Sequence, residues 1–137
     1  MDFMQAQQAV VVAVAGDVPY RHWERILLDV EIAEQTDGYD LDTVSIVIRR
    51  NERDELEDPQ FRLGAESKEA ITRLYEQRKQ DAGEVIGGFE LSVDFPGKFR
   101  FAFSHDKPKR LNGVWDAERQ RRLDDYLSIY KAEVGAD

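Results

Sequence analysis

The residues best equipped for chemistry in this chain are carboxylates. Between Glu24 and Asp58 stand twelve acids against four bases, a local net of −8 in a chain whose total is −9. Paired carboxylates perform acid–base work only where burial or a neighbouring charge moves a pKa toward neutrality. Asp37, Asp40 and Asp42 fall in QTDGYDLD, and Glu52, Asp54, Glu55, Glu57 and Asp58 fall in NERDELED. Both stretches read as exposed loops. DGYDLD also lacks the alternating ligand order and central glycine of a calcium loop. The two histidines, His22 and His105, show no metal-site spacing. Ser45, Ser67, Ser92, Ser104 and Ser128 lack the glycine-flanked context of a nucleophile elbow. Gly87-Gly88 leads into a strand rather than a helix, so it cannot cradle a phosphate at a helix N-terminus. The absence of cysteine removes disulfides, thiolate metal sites and cysteine nucleophiles together. The expectation is a protein with no catalytic residue, no metal and no cofactor.

Two other features could recognise a ligand. KPKR at 107–110 is the one local basic cluster, and GGFELSVDFPGKFRFAFS at 87–104 holds five phenylalanines. Together they suggest a basic, base-stacking RNA platform. The glycine, lysine and phenylalanine stand in the wrong order for that signature, however, and no second element accompanies it. A row of Phe89, Leu91, Val93, Phe95, Phe99, Phe101 and Phe103 is also too apolar for an open platform. It reads as the core face of a hairpin.

The elements that must position these residues follow from periodicity. Residues 2–15 read as a helix capped by Asp2, with Phe3, Ala6, Val10, Ala13 and Val14 on one face; Gly16, Asp17 and Pro19 end it. Residues 23–34 alternate as a strand with one buried face, Ile26, Leu28, Val30 and Ile32 inward and Arg25, Asp29 and Glu31 outward. Residues 43–50 make a second strand, Val44, Ile46 and Ile48 inward, joined to the first by a long loop. FRL at 61–63 suggests a short third strand. Residues 65–82 form a helix closed by Gly83.

In the phenylalanine stretch, a two-residue turn at Pro96-Gly97 would set Phe95 against Lys98 and mix the two faces. A connection of three or five residues, or a bulge, is therefore expected, with Phe95 opposite Phe99, Val93 opposite Phe101 and Leu91 opposite Phe103. Residues 114–133 read as a last helix with Trp115, Leu123, Tyr126, Leu127 and Tyr130 along its apolar stripe. The sum is a single α+β domain over 1–137, an antiparallel sheet of four to five strands with N-terminal, middle and C-terminal helices packed mainly on one face. The longest apolar run, AVVVAVAG, is far short of a membrane span, and MDFMQAQQ lacks the basic start of a signal peptide. A cytoplasmic location follows as the expectation.

The order of these features resembles the YezG-like family of small bacterial antitoxins. The likeness rests on W-E-R-I-L-L-D-V-E from Trp23, a second strand bearing Ser45, and a late strand pair joined through Gly97-Lys98-Phe99. It continues through Ser104-His105-Asp106 and a final helix opened by Glu118-Arg119 that contains Tyr126 and Tyr130. It spans roughly residues 17 to 131. The resemblance implies a non-catalytic immunity protein that binds and blocks a cognate toxin domain, often a nuclease, with no nucleic-acid or membrane partner. An acidic surface suits a basic partner, which nominates Asp37, Asp40, Asp42, Glu52, Asp54, Glu55, Glu57 and Asp58 as the contact surface. A small ligand-binding domain and an RNA-binding module are the alternatives.

Overall fold

A computed structural model describes residues 1–136. Five antiparallel strands form one sheet in the order β3-β2-β1-β4-β5. They are β1 (Arg25–Gln35), β2 (Gly38–Arg50), β3 (Leu56–Glu57), β4 (Gly88–Asp94) and β5 (Lys98–Ser104). Four helices accompany them: α1 (Phe3–Asp17), α2 (Ala65–Ala82), α3 (Ala117–Asp124) and α4 (Tyr126–Val134). This is the expected α+β architecture, with helices at the N-terminus, in the middle and at the C-terminus.

The two long helices share one face of the sheet. Ala6, Val10, Val11 and Val14 of α1 and Ala70, Ile71 and Leu74 of α2 bury themselves with Ile26, Leu28, Val30, Ile32, Phe89, Leu91 and Val93. Asp2 caps α1 in a reciprocal box with Gln5. The start of α2 has only Gly64 as its N-cap. Asp17, at the end of α1, reaches across to this start: its carboxylate accepts from the Gly64 amide at 2.8 Å and from the Ser67 hydroxyl at 2.5 Å. One side chain thereby joins the two helices.

The opposite face holds a second, smaller core. Leu27, Ile46 and Ile48 meet Leu123, Tyr126 and Tyr130 there. β1 is thus buried on both faces, where alternation suggested one, because the C-terminal helices cover the side that Asp29 and Glu31 occupy. Val44, Ile46 and Ile48 do point inward, but into this second core. The last helix is broken at Asp125 into α3 and α4, and Trp115 is 73% exposed rather than part of a stripe.

Other boundaries differ from expectation for local reasons. No long loop joins β1 to β2: Gln35 pairs with Gly38 across the two-residue turn Thr36-Asp37. Asp40 and Asp42 are the polar members of an alternating strand, not loop residues. The third strand is Leu56–Glu57, opposite Arg50 and Arg49, and not 61–63. The chain then follows β2 irregularly, with Val47 donating to the Pro59 carbonyl and Phe61 donating to the Ser45 carbonyl. Pro59 has no N–H with which to extend a regular ladder.

The β4–β5 connection is the expected three-residue one, since Asp94 pairs with Lys98. All the apolar side chains fall on one face as required, but the partners are Val93–Phe99, Leu91–Phe101 and Phe89–Phe103. Phe95 lies in the turn instead of opposite Phe99. It is 52% exposed and meets Trp23 edge-on, ring centres 5.1 Å apart. Among the described residues no helix is long and apolar enough to cross a membrane.

Candidate functional site

The eight nominated acids do not form one patch. Asp37 lies in the exposed β1–β2 turn, and Asp40 follows it on β2, accepting from Gln35 Nε2 at 2.9 Å. Glu52, Asp54 and Glu55 are exposed in the loop that leaves the far end of β2. Twelve residues of mostly extended chain, about 40 Å, separate Asp40 from Glu52. Asp42 turns toward Arg110, whose Nε is 3.4 Å from its carboxylate. Glu57 is paired with Arg49 across the β2–β3 ladder. Asp58 is half-buried, and burial raises its carboxyl above the ordinary range, opposed by a backbone hydrogen bond and by Lys131.

The strongest concentration of charge is one the alternation pattern assigned to solvent. Asp29 and Glu31 are each 1% exposed, side by side on the second face of β1. Arg119 of α3 grips Asp29 with two parallel bonds, Nε to Oδ2 at 2.8 Å and Nη2 to Oδ1, and reaches Glu31 with Nη1 at 3.3 Å. Arg110 adds a contact to Asp29 at 2.9 Å, and the Leu111 amide donates to Glu31 at 3.1 Å. The basic cluster KPKR therefore does not form a simple positive patch: Arg110 is turned inward, and Lys109 pairs with Asp116 at 3.4 Å. Burying two carboxylates is tolerated only because fixed guanidinium groups and an amide satisfy them. Held this way, both carboxylates are committed to structural contacts. Two signals in the sequence foreshadow the site: the apolar Leu27 on the face of β1 that alternation assigns to solvent, and the arginines at 110 and 119 further along the chain.

Beside this cluster, a cleft of about 340 Å3 opens between β4, β5 and α3. Asp29, Glu90, Asp116 and Glu118 line it with Arg119 and Arg122, so carboxylates outnumber guanidinium groups. Arg122 is itself paired with Glu90 at 2.7 Å. Ala102 of β5 forms part of the wall and is exposed.

The phenylalanines divide by strand. Phe89 on β4 is buried, whereas Phe99, Phe101 and Phe103 on β5 are half-buried. Phe101 and Phe103 stack with their planes 3° apart and centres at 5.3 Å, and Phe3 of α1 lies 5.3 Å from Phe103. This row closes the edge of the first core rather than standing open as a base-stacking platform.

His105 lies at the end of β5 with its Nε2 3.0 Å from Glu84. His105 and Arg78 together hold the Glu84 carboxyl below its ordinary value. Among the described residues no group of three or more His, Asp or Glu side chains is placed to hold a metal ion. No protein-family model matches the chain, and no curated protein matches it.

Proposed function

We propose that this chain is a non-catalytic binding protein of the immunity type, which blocks a basic toxin domain by covering it with an acidic surface. One observation carries the reading. Arg25, Arg49, Arg110, Arg119 and Arg122 are engaged by carboxylates of the chain itself, while Asp37, Glu52, Asp54 and Glu55 in connecting segments and Asp40 on β2 are exposed. Five arginines are thus neutralised within the chain, whereas these acids face solvent, and the chain as a whole carries a net charge of −9. Such a surface accelerates and orients encounter with a cationic partner. A nuclease domain, which must itself attract phosphate, is a partner of that chemistry.

Because the exposed acids fall into two groups, one small partner would meet the hairpin tip or the β2–β3 loop, not both. Titration calorimetry against a purified basic nuclease toxin domain tests the reading. Tight one-to-one binding is expected. Either Asp37→Asn with Asp40→Asn, or Glu52→Gln with Asp54→Asn and Glu55→Gln, weakens it about 10- to 100-fold at low salt and less at high salt. Unchanged affinity and salt dependence in both sets would show that the acids are not the contact surface. Absence of binding by the unaltered chain would remove the immunity reading for that partner.

A further inference from the structure

We propose that β5 is a self-pairing edge, through which two copies of this chain join into one continuous sheet about a two-fold axis at Phe101. The two margins of the sheet differ. β2 is shielded from Ser45 to Arg50 by the two-residue β3 and the irregular run to Phe61. β5 is seven residues long, regular, without proline or bulge, and ends the sheet. An edge of that length is blocked by proline, a bulge or charged side chains, or else has a partner; the charges here, Lys98 and Arg100, both stand on the face away from the phenylalanines.

The backbone fixes which groups face outward. The Phe95 amide donates to the Glu24 carbonyl, so odd-numbered backbone groups along β4 point to β1 and even-numbered ones to β5. The even-numbered residues of β5 answer them, which leaves the N–H and C=O of Phe99, Phe101 and Phe103 pointing away from the sheet. In an antiparallel pair centred on Phe101, Phe101 meets its own copy and Phe99 meets Phe103. All of those free groups then exchange hydrogen bonds.

The side chains agree with the same register. The phenylalanines of both copies fall on one face as a continuous aromatic row. On the other face Lys98 stands opposite Ser104 and Arg100 opposite Ala102, so no like charges meet. Centring the axis one residue earlier would set Arg100 against Arg100. The exposed Ala102 leaves room above it, in the wall of the cleft where Glu90, Asp116 and Glu118 outnumber the local arginines. Arg100 of the second copy enters that cleft as a third guanidinium beside its four carboxylates.

Sedimentation velocity on the full chain at tens of micromolar tests the proposal. The expected species has twice the 15.8 kDa chain mass. Ala102→Arg places like charges opposite each other, and Arg100→Glu brings an anion to an acidic cleft. Each raises the dimer dissociation constant by at least about 10-fold. Arg100→Glu combined with Ala102→Arg restores the dimer by pairing the exchanged charges. Both positions are exposed in the single chain, and circular dichroism of each variant verifies the fold. A monomer at all concentrations, a dimer indifferent to both single substitutions, failure of the double variant to recover, or open-ended larger species would each overturn the assignment. The last result would indicate head-to-tail pairing of β5 with the free Gly38–Val44 part of β2.

Discussion

Arg119 and Asp29 are ninety positions apart in sequence, yet they form a two-bond guanidinium–carboxylate pair on the buried second face of the central strand. The pair ties α3 to the sheet and makes the burial of Asp29 and Glu31 tolerable. Arg119→Met leaves both carboxylates short of their main cation. Urea unfolding should show a loss of about 3–5 kcal/mol. Asp29→Asn in that background recovers part of the loss, because it removes a buried charge. A loss below about 1 kcal/mol would mean that Arg110 alone neutralises the site.

Gly88 is required by a close approach of two backbones. A Cβ there would sit 2.1 Å from the Val30 carbonyl oxygen on the neighbouring strand. Neither strand can yield, since each is paired on its other side. Gly88→Ala is expected to destabilise by about 2 kcal/mol or more. Gly97→Ala is the control, with nothing within 4 Å of its added Cβ. Thermal unfolding of the two variants should separate clearly.

Asp58 gives stability a pH dependence of defined sign. Its carboxyl is raised above the ordinary value of 3.8 by burial, so the folded protein holds that proton more tightly than the unfolded chain. The resulting contribution to stability is fully present below 3.8 and is lost as pH rises through the folded value. At neutral pH the ionised group is therefore a penalty. Asp58→Asn should be more stable than the parent at neutral pH, and the difference should shrink as pH falls toward 3.8. Denaturant midpoints at both ends of that range check it; an Asn variant less stable at neutral pH would contradict it.

Local chemistry determined much of this protein from sequence. The Asp2 cap, the Gly83 terminus and the spacing of Ala70, Ile71 and Leu74 specify helices within a few residues of where they lie, because caps and periodicity act between near neighbours. The need to keep apolar side chains on one face likewise excluded a two-residue turn at Pro96-Gly97. What the sequence could not decide is which surfaces are covered. Asp29 and Glu31 alternate as a solvated face would, and only the docking of α3 and the Arg110 turn makes them interior. Asp40 and Asp42 have loop-like composition, yet they are strand residues because β1 supplies their ladder. The nominated acids are neighbours in composition but separated by the length of β2. The physical reason is common to all three cases. Periodicity reports a residue's face, whereas burial, pairing and clustering depend on contacts between segments far apart in the chain, and those exist only once the sheet and its two helical layers have assembled.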